Sequence, residues 1–115
     1  MTTTTLQENG VSIVNFTGNI IGEAVPQVRR AIVRQIDSNE TPRILLNFKG
    51  VHKMDSGGLG TLLNAYNMVR AKKGRIGIIN VGKNISNLIV KTRLIRIFEH
   101  FNAEDVAVSS LSRTI

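Results

Sequence analysis

One stretch governs what this chain can become: Met54-Asp55-Ser56-Gly57-Gly58-Leu59-Gly60. Ahead of it runs Ile44-Leu45-Leu46-Asn47-Phe48, and behind it Leu59, Leu62, Leu63 and Tyr66 recur at helical spacing. A short apolar run predicts a buried strand and the recurrence predicts one face of a helix, so the stretch is a strand-to-helix turn. The first N–H groups of a helix lack intrahelical partners and carry the positive end of its dipole. A hydroxyl placed there is exposed and polarised, beside a position that favours an anion. Ser56 is therefore the expected centre of function.

The rest of the chain arranges itself around that turn. Thr2 to Gln7 predicts a first edge strand, and Glu8-Asn9-Gly10 a hairpin turn, Asn-Gly being a strong signal between two strand-like runs. Val11 to Phe16 alternates apolar and polar as a half-buried strand does, until Thr17-Gly18-Asn19 breaks it. From Ala24 to Ile36, Val25, Val28, Ile32 and Ile36 share one face while Arg29, Arg30 and Arg34 lie elsewhere. This predicts an amphipathic helix with Pro26 in its first turn, where proline is tolerated.

After a loop over Asp37 to Pro42, the central strand spans Arg43 to Phe48. The motif helix ends at Lys72-Lys73-Gly74, a basic last turn with a glycine stop. Ile76 to Val81 reads as another buried strand, Asn84 as the cap of a short helix carrying Ile85, Leu88 and Ile89 inward, and Ile95 to Phe101 as a last strand. Asn102 to Asp105 opens a closing helix, and a tail from Ser109 to Ile115 is expected to fray. A hairpin followed by alternating helices and strands implies an α/β domain with a mixed sheet and right-handed crossovers, its contact sites near the carboxyl ends of the central strands. The 115 residues are read as one domain, 1–115.

Composition narrows the function. The chain has no cysteine, which removes disulfides, thiolate nucleophiles and thiolate metal sites. No apolar run approaches the roughly 18 residues of a membrane span, and Met1-Thr2-Thr3-Thr4-Thr5 does not resemble a signal peptide, so a cytoplasmic location is expected. The net charge of +7 suits nucleic acid, an anionic membrane surface or an acidic protein partner. Its basic residues are spread through the chain with no aromatic residues interleaved for base stacking, so nucleic acid is not the expected partner. No metal or cofactor is expected.

Four chemistries could use the motif. Asp-Ser-Gly-Gly matches the nucleophile stretch of trypsin-like proteases, but that enzyme needs a general base and two barrels, and His52 and His100 do not supply the first. Asp55 as the phospho-acceptor of a receiver-type domain would need a carboxylate cluster for magnesium, and the first strand region offers only Glu8. A phosphate-cradling P-loop would end in Gly-Lys-Ser/Thr, which is absent. The remaining chemistry is phosphorylation of Ser56 itself; a plain helix-capping role for the same serine stays open beside it, as does a capping or bracing role for Asp55.

The apolar strand Ile44 to Phe48, then Met54 to Gly60, then a helix, set within a chain whose opening hairpin ends at Phe16-Thr17-Gly18, resembles the STAS domain of bacterial anti-sigma factor antagonists. The resemblance implies a STAS-like mixed sheet of four to five strands flanked by about four helices. It also implies a regulatory binding protein with no catalysis of its own. In that family the unphosphorylated antagonist binds a serine kinase that doubles as an anti-sigma factor. The kinase phosphorylates the serine after the motif aspartate, here Ser56, and a PP2C-type phosphatase reverses it. Asp55, Ser56, Gly57, Gly58 and Leu59 are the implied partner-binding residues.

Two positions depart from the family pattern: Gly57, where Ser, Thr or Ala is usual, and Asn19-Ile20-Ile21, where an acidic residue is common. The alternative reading is an electrostatic module for anionic membrane or nucleic acid, using Lys91, Arg93 and Arg96 beside Leu94, Ile95 and Phe98.

Overall fold

The computed structural model describes residues 1–91 and 98–113. The chain enters through a hairpin, strands β1 (Thr2–Glu8) and β2 (Val11–Thr17), closed by Asn9 at φ 50° and Gly10 at φ 79°. Two successive positive φ values define the tight turn that matches strand twist, and Asn-Gly is the pair that adopts them at least cost. Helix α1 (Ala24–Asp37) crosses to β3 (Arg43–Gly50), and α2 (Ser56–Ala71) crosses to β4 (Arg75–Ile79). Helix α3 (Lys83–Lys91), strand β5 (Glu99–Phe101) and helix α4 (Glu104–Leu111) complete the described residues. The strands lie in the order β1-β2-β3-β4-β5, with β1 antiparallel to β2 and the remaining pairs parallel. This is the mixed α/β sheet expected.

The sheet divides the interior in two. On one face Val14, Phe16, Ile44, Leu46, Phe48 and Ile78 pack under α1 and α2, which bury Val28, Ile32 and Ile36 and Leu62, Ala65 and Val69. The other face buries a smaller group, Val11, Ile13, Leu45 and Ile79, under Ala107, Val108 and Leu111 of α4. Strand alternation produces both sets from the same residues' neighbours, since successive side chains point to opposite faces.

Several boundaries differ from those the sequence predicts. Strand β4 stops at Ile79 because Asn80 turns to φ 58°. Helix α3 begins at Lys83, one residue before the expected cap Asn84. Of the strand expected over Ile95 to Phe101, residues 95–97 lie outside the described residues. At the end of α2 the positive φ falls on Lys73, at 57°, not on Gly74. The N–H of Lys73 bonds to the Arg70 carbonyl at 2.9 Å and that of Gly74 to the Val69 carbonyl at 2.9 Å, the two-bond cap that closes many helices. Gly74 is required for a different reason: a Cβ there would lie 2.1 Å from the Pro42 carbonyl oxygen.

The expected frayed tail also needs correction. Residues 109–111 are helical, and Leu111 is fully buried. Arg43 and Arg75, register partners at the start of β3 and β4, hold that helix end. Arg43 Nη1 donates to the Leu111 carbonyl at 3.0 Å, and Arg75 donates to the carbonyl and the hydroxyl of Ser110 while pairing with Glu99. Guanidinium groups at a helix carboxyl end meet unsatisfied carbonyls and the negative end of the dipole, which favours the seat twice over.

Candidate functional site

The site is made by two loops lying side by side. The β2–α1 loop runs against the β3–α2 loop through a short parallel bridge between Ile20 and Met54. The Ile20 N–H bonds to the Lys53 carbonyl at 2.9 Å, the Asp55 N–H to the Ile20 carbonyl at 3.1 Å, and the Lys53 N–H to Asn19 Oδ1 at 3.1 Å. Ile20 is buried, so an apolar side chain anchors the loop from below while its backbone ties the motif from above.

Asp55 completes the junction. It has extended backbone, φ −96° and ψ −177°, and caps α2: Oδ1 accepts the Gly58 N–H at 2.9 Å. Its other oxygen, Oδ2, accepts the Gly22 N–H from the neighbouring loop at 3.0 Å. Gly22 sits at φ 53°, a left-handed conformation that glycine adopts without a Cβ penalty. The bonds from Gly22 and Gly58 hold the Asp55 carboxyl below its ordinary value of 3.8, because they stabilise the ionised form. The carboxylate is half-buried and charged, bracing both loops at once.

Ser56 is the first residue of α2, not its cap; Asp55 takes that role. Its side chain is exposed and makes no hydrogen bond among the described residues. Gly57 is exposed beside it, and Leu59 is half-buried. Gly58, expected on the contact surface, is buried instead: a Cβ there would lie 2.4 Å from Met54 Cγ and 3.0 Å from Ile20 Cγ2. Its absence of a side chain lets the two loops close over the first turn. His52 and Lys53 are exposed at the strand end. No three acidic, histidine or cysteine side chains gather into a metal site among the described residues.

The basic groups separate on inspection. Lys72, in the basic turn that ends the motif helix, is half-buried and donates to the carbonyls of Ile36 at 2.9 Å and Asn39 at 3.1 Å, closing the end of α1. Of the alternative electrostatic patch, residues 93–96 lie outside the described residues. Phe98 is buried, its ring 5.7 Å from that of Tyr66, so it is not a surface anchor. No helix among the described residues is long and apolar enough to cross a membrane.

Sequence reading missed the partners of the motif. Asn19, Ile20 and Gly22 stand more than thirty positions before the residues they brace, and only the glycine was a hint that this loop makes an unusual turn.

The architecture and the motif can now be set against known proteins. Residues 3–107 match the STAS domain family. The chain belongs to that family. An anti-sigma F factor antagonist from Paenibacillus polymyxa is 28% identical over 102 residues, spanning 89% of this chain and 87% of the relative. The anti-sigma-B factor antagonist of Bacillus subtilis is 30% identical over 99 residues, 86% and 80% of the two chains. Among solved structures, an anti-sigma factor antagonist from Mycobacterium paratuberculosis superposes with a TM-score of 0.85 at 24% identity, over 97% of this chain and 94% of that one. The STAS fold therefore accounts for the five-stranded sheet and four helices, and it places the Asp55–Ser56 turn at the carboxyl end of a central strand.

Proposed function

We propose that this STAS domain is an anti-sigma factor antagonist switched by phosphorylation of Ser56. Unphosphorylated, it docks on a serine kinase that is also an anti-sigma factor, through the turn around Asp55, Ser56, Gly57 and Leu59. Phosphorylated, it is released, and a PP2C-type phosphatase restores it. The cytoplasm is where such a partner exchange takes place. One observation carries the reading: Ser56 is an exposed hydroxyl with no competing bond among the described residues, on a turn braced by the carboxylate beside it. The names of the two curated relatives support the same class of role.

The energetics fit a switch at the interface rather than in the fold. A phosphate adds about −1.5 to −2 charges at a helix N-terminus, where the dipole favours it by roughly 0.3–1 kcal/mol. The ionised Asp55 next to it opposes that gain and turns the phosphate outward. The domain stays folded, and the cost falls on a partner surface shaped for a small hydroxyl, which must desolvate a dianion. About 3 kcal/mol lost in this way weakens binding roughly hundredfold.

Calorimetric titration of the cognate kinase with wild type, phosphoprotein, Ser56→Asp and Ser56→Ala tests this. The phosphoprotein is expected to bind at least about a hundredfold more weakly, Ser56→Asp to imitate it in part, and Ser56→Ala to bind as wild type does. Equal affinities for the two phosphorylation states would sink the proposal.

A further inference from the structure

Beside Ser56 the surface is concave. A groove of about 450 Å³ runs between α1 and α2 from Gly57 past Gly60 and Asn64, walled on the α1 side by Arg29 and Arg30. Along α1 itself an open hollow of about 580 Å³ shares Arg29 and Arg30 with this groove and is bounded further along by Arg34 and Asp37. Val33 and Met68 give a smaller recess between the helices an apolar floor. The α2 wall is low because of its glycines. Nothing lies within 4 Å of where a Gly60 Cβ would be, and a Cβ on Gly57 would project to 3.5 Å from Val25.

The three arginines are exposed, and none of their guanidinium groups makes a hydrogen bond or ion pair among the described residues. Against them the groove presents one carboxylate, Asp37. No aromatic residue lines it, so it offers no base-stacking platform. None of the exposed large apolar residues, Leu6, Ile21, Leu63, Val90 or Val106, lines it either, so nothing there would insert into a bilayer.

We infer that the α1–α2 groove receives an acidic segment of the partner protein, its carboxylates on Arg29, Arg30 and Arg34 and its apolar side chains on Val33 and Met68. This rests on the reading that the chain docks on a protein through the Ser56 turn, and it extends that contact along α2. Arginine suits the task because its planar fork binds carboxylate with two parallel bonds. Complementary charge of this kind sets register and association rate.

The test uses the isotopically labelled full chain and two synthetic peptides of equal length with Leu at helical spacing, one carrying Glu at the remaining positions and the other Gln. The Glu peptide is expected to shift the amide signals of Gly57, Gly60 and Asn64 while those of α4 stay in place. Arg29→Glu combined with Arg34→Glu is expected to weaken it by about tenfold or more. Gly60→Met fills the open space without changing charge, uses a better helix former, and should weaken it comparably. Equal binding of the Gln peptide, shifts confined to other faces, or indifference to these substitutions in folded variants would overturn the inference. So would tighter, equally arginine-dependent binding of phosphatidylserine vesicles or a short DNA duplex, which would assign the groove to lipid or nucleic acid. The peptides do not involve the kinase. Loss of the Ser56 switch with peptide binding intact would strike the proposed function alone, and the converse would strike the groove alone.

Discussion

Arginines occupy two opposite situations in this molecule. At the start of β3 and β4, Arg43 and Arg75 are spoken for: they reach the last carbonyls of α4, and Arg75 also grips Glu99. On α1, Arg29, Arg30 and Arg34 point away from the core and meet no carboxylate among the described residues. The same side chain thus closes the fold at one site and stands open at the other. What separates them is topology. Parallel strands bring Arg43 and Arg75 side by side, and the negative end of α4 together with the Glu99 carboxylate relieves that juxtaposition. On an amphipathic helix the charged residues simply fall opposite the buried stripe. A net charge of +7 therefore says little until it is divided between structure and surface.

Substitution should widen this contrast. Arg75→Met removes several charged hydrogen bonds from a side chain only 21% exposed and leaves Glu99 and the Ser110 carbonyl without it. Chemical denaturation should show a loss of about 1–2 kcal/mol, the lower part of the range for charged bonds because Glu99 is itself 38% exposed. Arg29→Met with Arg34→Met should stay within about 0.5 kcal/mol of wild type. Equal losses for the two sets would erase the distinction drawn here.

Smaller and opposite in sign is Gly60→Ala. The position is helical, exposed and unobstructed, so alanine should stabilise the domain by about 0.5–1 kcal/mol. A melting temperature that fell instead would show that the groove wall is packed in solution and not open.

The gentlest probe is acid. The folded-state pKa of Asp55 lies below 3.8, so its ionised form contributes stability that is fully present above the unfolded value. That contribution is lost as pH falls through the folded value. Asp55→Asn cannot accept both the Gly22 and Gly58 N–H groups with carboxylate oxygens, and its stability should fall less steeply than wild type below about pH 4. Parallel acid limbs in the two unfolding curves would remove Asp55 from the bracing role.

How much of this could be read without coordinates depends on range along the chain. The hairpin was legible because Asn9-Gly10 is a local signal, and so was the motif turn, because strand and helix patterns meet there. The α4 seat was not, since Arg43 and Arg75 find their partners 68 and 35 residues away and no periodicity encodes that. The same holds for the site. Ser56 stood out at once and Asp55 could be read as a cap or brace of the turn, but nothing local showed that its second oxygen is engaged by a glycine from another loop. Gly74 was read as a helix stop, while its real constraint is the Pro42 carbonyl it passes. Close approaches between distant segments leave only a glycine behind as their trace.

The bridge between Ile20 and Met54 has a consequence for timing. A recognition loop that must first be frozen charges every encounter with the entropy of its ordering, and association slows when binding requires a conformational change. Here the loop is laid down beforehand, stitched by backbone bonds on both sides of Ile20. A collision that arrives in the right orientation meets a finished surface. In the proposed complex its life would then be decided by how fast the two surfaces part, so the phosphorylation proposed at Ser56 would act chiefly on departure.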